Sequence, residues 1–258
     1  MNRRSKRVIA AAAIAMFSAA ACASRPAPTI PITVYAASSL VKSFTAIGKN
    51  FEASNPRYSV MFIFASSPEL SSELADGADA DVFASGDRAN MTAVADAGGV
   101  SGTPVPFAAN RLVVVTPAGN PRQLTSFPDL AQSGLRVSVC VAQGTSCGSA
   151  TQLVEQRTGV QLRPTNSEPT PSHVLQDVTS GKADAGVVFM TDALAAGDNV
   201  TSFPLPEDAD AVTSWITVVK GTDQDRGAAL FVQEVTGANG RQILADNGFS
   251  PPPKNPAG

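Results

Sequence analysis

The stretch that decides the fold is residues 32–40 (ITVYAASSL), an apolar strand that runs into a short elbow of Ser and Ala. The helix that follows carries Leu40, Phe44, Ile47 and Phe51 on one face, at the spacing of an amphipathic helix. A strand followed by an elbow and a helix is the building unit of parallel sheets. We therefore predict an α/β fold around a parallel sheet.

The same pattern occurs twice more, in residues 60–70 (VMFIFASSPEL) and 137–149 (VSVCVAQGTSCGS). Each elbow brings free backbone N–H groups and hydroxyls to a helix N-terminus, where the helix dipole favours an anion. Helices that follow parallel strands begin at the same edge of the sheet. The three elbows together predict a receptor for an anion.

Helix capping is the alternative interpretation of each elbow, because serines before helices are commonly N-caps. In the second elbow, Ser66 with Glu69 fits a capping box, which leaves the Ser67 hydroxyl free. Ser67 as the N-cap before Pro68 would instead occupy that hydroxyl. The sequence leaves both arrangements open.

The N-terminus has the pattern of a targeting segment, with four basic residues before an apolar run over residues 8–21. Residues 18–22 (SAAAC) resemble a bacterial lipobox, which predicts lipid attachment at Cys22 and a Pro- and Ala-rich tether after it. The alternative is a signal peptide cleaved at an Ala-x-Ala site, with Cys22 incidental. We expect the protein outside the cytoplasm, held to the cell membrane by lipid.

The charge balance argues against a nucleic-acid partner. Removing the four leader charges from 19 basic side chains leaves 15, against 22 acidic ones. A protein that binds nucleic acid electrostatically needs a basic surface. The anion must therefore be held by local dipoles and neutral donors.

Cys140 and Cys147 flank the third elbow, and in an oxidising compartment they can form a disulfide or remain free thiols. A zinc site is not expected, since His173 is the only histidine. That histidine is interpreted as a surface or capping residue. Asp79 and Asp81 share one face of an extended segment and are interpreted as solvated rather than catalytic.

Several stretches resemble the family of periplasmic molybdate-binding proteins, the solute receptors of bacterial molybdate ABC transporters. They occur in the family's order, and the resemblance extends from residue 31 to residue 250. The stretches are residues 32–40, 64–67 (FASS), 80–87 (ADVFASGD), 110–115 (NRLVVV) and 181–189 (GKADAGVVF).

The resemblance implies a type II periplasmic-binding-protein fold, with two α/β domains joined by two hinge strands and the ligand cleft between them. Turn-rich residues 98–106 and a strand at 110–117 mark the crossover into the second domain, and a single long helix is expected over residues 228–247. The expected divisions are a signal peptide at 1–21, a lipid-anchored tether at 22–31, domain 1 at 32–107 plus 216–250, domain 2 at 108–215 and a disordered tail at 251–258.

The family's ligand contacts fall on elbow positions of this chain. The resemblance implies that molybdate is held by the side chains of Ser39 and Ser67 and by the backbone N–H of Cys147. A fourth contact, a backbone N–H, aligns with Pro171, which has none to give. That donor is expected from Ser172, from Thr170 or from a shifted register.

A tyrosine hydroxyl of the family aligns with Phe189, which offers no donor. Thr191 or another hydroxyl of the second domain is the candidate substitute. Hydrogen bonds to a charged group contribute about 1.5–3 kcal/mol each, so the two departures bear directly on affinity.

A site made only of donors suits a fully deprotonated oxyanion such as molybdate, tungstate or sulfate. We expect a monomeric receptor without a resident cofactor that delivers molybdate or tungstate to a membrane permease. The alternatives are a sulfate or thiosulfate receptor and a serine hydrolase that uses Ser39 or Ser67 with His173 as base. Neither Ser39 nor Ser67 lies in a Gly-x-Ser-x-Gly elbow, and the sequence offers no complete set of nucleophile, base and orienting group around them.

Overall fold

Strands and helices alternate along the computed structural model, which describes residues 28–142, 145–205 and 211–254. The strands are β1 Ile30–Ala37, β2 Tyr58–Ala65, β3 Val82–Ser85, β4 Val100–Pro117, β5 Val137–Cys140, β6 Asn166–Glu168, β7 Ala185–Phe189, β8 Val200–Pro204 and β9 Ala211–Val219. The helices are α1 Val41–Ser54, α2 Ser67–Ala75, α3 Arg88–Asp96, α4 Ser146–Thr158, α5 Pro171–Thr179, α6 Met190–Ala196, α7 Asp225–Thr236 and α8 Ala238–Asp246.

The sheet has the order β2-β1-β3-β9-β4-β7-β5-β6, with β8 paired to β4. Strands β1, β2 and β3 are parallel to one another, as are β5, β6 and β7. Strands β4 and β9 are antiparallel partners that run between the two parallel sets. They connect two α/β halves that have separate hydrophobic cores.

The two cores meet along β4. Phe107 and Ala108 pack in the core of the first half, together with Phe44 and Phe231. Leu112 begins the core of the second half. The change from the core of the first half to that of the second therefore falls after Ala108, whereas the sequence analysis placed the domain boundary after Phe107. On the return strand Trp215 also packs in the first half, not in the second as expected.

Strand β4 extends over residues that the sequence analysis interpreted as turns. Its first part pairs with β9, with register shifts between Ser101 and Val105 and between Pro106 and Ala108. These irregularities accommodate the glycine and prolines of this stretch within a strand, since a bulge leaves a residue unpaired. The hinge is therefore a long irregular strand rather than a turn followed by a strand.

Two other boundaries differ from the expectations. Ile30 and Pro31 belong to β1 and not to the tether. At Pro31, β1 has a strand partner on one side only, which is β2. The missing backbone N–H of Pro31 is tolerated in such a position. The last helix is two helices, because Gly237 is extended between α7 and α8. Residues 251–254 have no regular structure.

The expected signal peptide, Cys22 and the last four tail positions lie outside the described residues. None of the helices in the described part of the chain has the length and apolar content needed to span a membrane.

Candidate functional site

The first two elbows meet at Gly86, which follows β3. Ser39 lies in a 3-10 turn directly after β1, and Ser67 is the first residue of α2 after β2. The Gly86 N–H donates to Ser67 Oγ at 2.9 Å. A Cβ built on Gly86 would lie 3.4 Å from Ser67 Oγ and 3.8 Å from Ser39 Oγ. Both hydroxyls therefore flank the same glycine at the carboxyl edge of the sheet.

The Ser67 hydroxyl is free to donate its proton. Ser66 is the N-cap of α2 and accepts the Glu69 N–H at 3.3 Å, so Ser67 is not needed for capping. Ser67 Oγ accepts from Gly86, and no acceptor for its proton is found among the described residues. Ser67 is also buried, with 7% of its surface exposed. A buried hydroxyl with an unused proton is suited to an anion.

The second half has two helix N-termini of the same construction. Thr145 caps α4 by accepting the Gly148 N–H at 3.0 Å, and Thr170 caps α5 by accepting the His173 N–H at 3.4 Å. In each case the N–H of the residue two after the cap has no acceptor within the described chain; these are Cys147 and Ser172. Both are orphan donors of a helix first turn.

Pro171 is the first residue of α5 and has no N–H. Of the substitutes considered from the sequence, Thr170 has its hydroxyl engaged with the His173 backbone and lies 2.8 Å from His173 Nδ1. The Ser172 N–H is therefore the donor that this helix leaves available.

Phe189 ends β7 and is 5% exposed, packed in the core of the second half. Two residues later, Thr191 Oγ1 accepts from Asn110 Nδ2 on β4 at 2.9 Å, so its own proton has no acceptor among the described residues. Asn110 is 3% exposed, and its Oδ1 has no partner within the described chain. The sequence analysis missed Asn110, because it lies in an otherwise apolar strand.

Asp192 was also missed, although an acidic residue three positions after a strand end is typical of a helix first turn. Its carboxylate accepts the Phe189 N–H at 3.2 Å. Burial raises the pKa of Asp192 to about 6, and the bond from Phe189 opposes that shift. The turn between β7 and α6 thus contains a carboxylate, one oxygen of which accepts a backbone N–H of the same turn.

The carboxyl edges of the two parallel sets point toward each other. Strands β3 and β4 both pair antiparallel with β9, so β4 runs in the direction of β3. Strand β7 is antiparallel to β4, so the second set runs back toward the first. The stretch of β4 between them, from Pro106 to Leu112, spans about 20 Å. The hydroxyls of Ser39 and Ser67 and the N–H groups of Cys147 and Ser172 therefore lie at the facing edges of the two parallel sets.

The sequence profile of the bacterial extracellular solute-binding proteins matches residues 32–250. This chain belongs to that family. Like other members, it binds a solute outside the cytoplasm and is not an enzyme.

Relatives and solved structures agree with this assignment. The molybdate-binding protein ModA of Mycobacterium tuberculosis is 47% identical over 222 residues, which cover 86% of this chain and 85% of that protein. This relationship confirms the resemblance noted in the sequence. The ModA of Haemophilus influenzae is 25% identical over 237 residues, covering 87% of this chain and 91% of that protein.

The periplasmic molybdate-binding protein of Azotobacter vinelandii superposes with a TM-score of 0.74 and 19% identity, covering 86% of this chain and all of that one. The sulfate-binding protein SubI of Mycobacterium tuberculosis gives a TM-score of 0.73 and 19% identity, with 86% of each chain covered. These likenesses confirm the predicted two-domain fold.

His173 and Asp81, two of the residues considered for catalysis, have structural roles in this solute-binding protein. His173 is exposed and hydrogen-bonded at the α5 N-terminus. Asp81 is buried rather than solvated, accepting the Thr33 N–H at 2.7 Å and the Thr222 hydroxyl. It therefore ties β1 to the turn that follows β9.

Proposed function

We propose that this solute-binding protein captures molybdate, and its near isostere tungstate, for import by an ABC transporter. The proposal is supported by the identity to ModA proteins and by the chemistry of the elbows. The hydroxyls of Ser39 and Ser67 and the N–H groups of Cys147 and Ser172 are all neutral donors. A donor-only site suits an oxyanion without protons.

The observation that carries the proposal is the bond from the Gly86 N–H to Ser67 Oγ. It occupies one lone pair of the hydroxyl and leaves the proton directed away from the glycine N–H. Ser67 is therefore arranged to donate a hydrogen bond. An anion requires such a donor, whereas a cation or a ligand that itself donates hydrogen bonds does not. The neighbouring Ser39 hydroxyl adds a second donor at the same edge.

Ligand capture by this fold is expected to proceed by closure of the two halves about β4 and β9. Closure brings the donors of the second half onto an anion already held by the two serines. Thr191 supplies the hydroxyl that Phe189 lacks in this proposal. We further propose that the receptor is monomeric, that Cys22 carries the lipid anchor and that no cofactor is resident.

A thermal-shift titration with molybdate, tungstate, sulfate and phosphate in parallel tests the proposal. A ligand that binds only the folded state raises stability by RT ln(1 + [L]/Kd), so the melting temperature should rise with concentration. We expect a rise with molybdate and tungstate and none with sulfate or phosphate. No rise with any of the four would refute an oxyanion receptor.

Sulfate is the second candidate, because a sulfate-binding protein shares the fold as closely as a molybdate-binding one does. Sulfate is also a tetrahedral dianion whose oxygens only accept hydrogen bonds, and it is smaller than molybdate. A rise in melting temperature with sulfate alone would assign the protein to that class.

A further inference from the structure

A disulfide spans the third elbow. Cys140 is the last residue of β5 and Cys147 is the second residue of α4, with Cα atoms 5.8 Å apart. The side chains are almost fully buried, with 2% and 1% of each residue exposed. The structure thus has the bridged form of the two alternatives that the sequence left open.

The bridge is attached to the residue whose backbone donates. Cys147 supplies the orphan N–H of the α4 first turn, and its Sγ is bonded to the strand that precedes the elbow. In the first half, by contrast, Ser67 is held by a hydrogen bond from Gly86. The donor of the third elbow is therefore the one with a covalent tether.

Other contacts among the described residues of this elbow hold α4 closely against the end of β5. A Cβ on Gly148 would lie 1.9 Å from the Val141 carbonyl oxygen, so the helix and strand backbones are in direct contact. The Thr145 hydroxyl donates to that same carbonyl at 2.6 Å while it accepts the Gly148 N–H. A small shift of α4 would break these contacts and redirect the Cys147 N–H.

We propose that the Cys140–Cys147 disulfide is a positioning element of the anion site, which keeps the Cys147 N–H directed into the cleft before the ligand arrives. The inference rests on the proposed oxyanion-binding function. Hydrogen bonds weaken steeply away from linearity, and a donor fixed in advance loses less freedom on binding. The bridge contributes in this way to affinity as well as to stability.

The double variant Cys140→Ala/Cys147→Ala tests the role, because it removes the tether and retains the donating backbone N–H. Alanine suits the buried apolar surroundings of both positions. We expect the dissociation constant for molybdate to rise about tenfold, because one hydrogen bond to the charged ligand is weakened. Calorimetry well below the melting temperature measures this constant. An unchanged dissociation constant would overturn the proposal.

Val154→Ala is the matched control, since Val154 lies on α4, is 1% exposed and packs in the same core. It should lower the melting temperature and leave the dissociation constant unchanged. If Val154→Ala weakens binding as much as the double variant, general loss of packing explains the effect and the positioning role is refuted.

If the double variant does not fold, reduction of the wild-type protein with a phosphine provides a second measurement. Counting the thiols shows that the disulfide has been reduced. The reduced form should show the same rise in the dissociation constant, and an unchanged value would again overturn the role. Wild-type protein that binds none of the four oxyanions would instead refute the proposed function itself.

Discussion

Gly86 donates its backbone N–H to Ser67 Oγ at 2.9 Å, and no acceptor for the serine's own proton is found among the described residues. The glycine follows β3 and the serine follows β2, so the contact depends on the position of β1 between their strands. Ser39, at the end of β1, lies beside the same glycine. The two hydroxyls from neighbouring elbows thus lie on either side of one glycine, whose N–H is bonded to Ser67.

Replacing Ser67 by Ala should weaken molybdate binding about 10- to 100-fold, since a hydrogen bond to a charged ligand contributes about 1.5–3 kcal/mol. Isothermal titration calorimetry measures the change. The adjacent Ser66→Ala variant is the control, because Ser66 caps α2 and faces solvent. It should cost about 1 kcal/mol of stability and leave the affinity unchanged. Equal affinity losses in the two variants would contradict the assignment.

Replacing Gly86 by Ala should also weaken binding, because the added methyl group would point between the Ser39 and Ser67 hydroxyls. The new Cβ would lie 3.3 Å from the Ala37 Cβ, which is close enough to require small adjustments but not to prevent folding. We expect a circular dichroism spectrum like that of the wild type and a dissociation constant raised at least tenfold. Wild-type affinity would show that the ligand lies elsewhere.

The Phe189→Tyr variant adds the hydroxyl that the resemblance to molybdate-binding proteins implies at this position. If the ring edge reaches the cleft, the new donor should tighten molybdate binding by about tenfold or more. If the hydroxyl instead enters the core of the second half, the affinity stays constant and the free energy of unfolding falls by about 1–3 kcal/mol. Titration calorimetry and urea unfolding separate the two results.

The Asp192→Asn variant should change the pH dependence of stability. Burial raises the pKa of Asp192 from 3.8 to about 6, so the folded state keeps a proton that the unfolded chain releases between about pH 4 and pH 6. Stability therefore falls as the pH rises through this window, and the ionised carboxylate costs up to about 3 kcal/mol above it. Asparagine removes this penalty and can still accept the Phe189 N–H.

Urea unfolding of wild type and Asp192→Asn at pH 4 and pH 7.5 measures this effect. The variant should be more stable than the wild type at pH 7.5 and close to it at pH 4. The comparison cancels the titration of all other groups, which the two proteins share. A difference in stability that is the same at both pH values would show that Asp192 titrates normally.

The alternating strands and helices could be predicted from the sequence, because hydrophobic period and helix starts are local properties. The same local patterns located the elbows, whereas the resemblance to molybdate-binding proteins pointed to Ser39 and Ser67 within them. Local patterns failed where pairing with a distant strand prevailed. Residues 100–106 read as turns but join β4 because β9 supplies partners for them.

The helix break at Gly237 has a tertiary cause as well as a local one. A Cβ on Gly240 would lie 2.3 Å from the carbonyl oxygens of Glu234 and Val235, so α8 folds back closely onto the end of α7. The apolar period of residues 228–247 continues through this break, which is why the sequence predicted one helix. Apolar periodicity predicts which residues share a buried face, but it does not predict the direction of the helix axis.

The sequence by itself determined the fold class, the family resemblance and the elbows that carry the donors, since these depend on residue types at short spacing. Only the tertiary structure decided that Ser66 caps α2 while Ser67 accepts the Gly86 N–H, and that Cys140 and Cys147 are joined. It also placed Asn110 against Thr191, residues from distant parts of the chain. Such relationships depend on which strands become neighbours, and no local spacing encodes that choice.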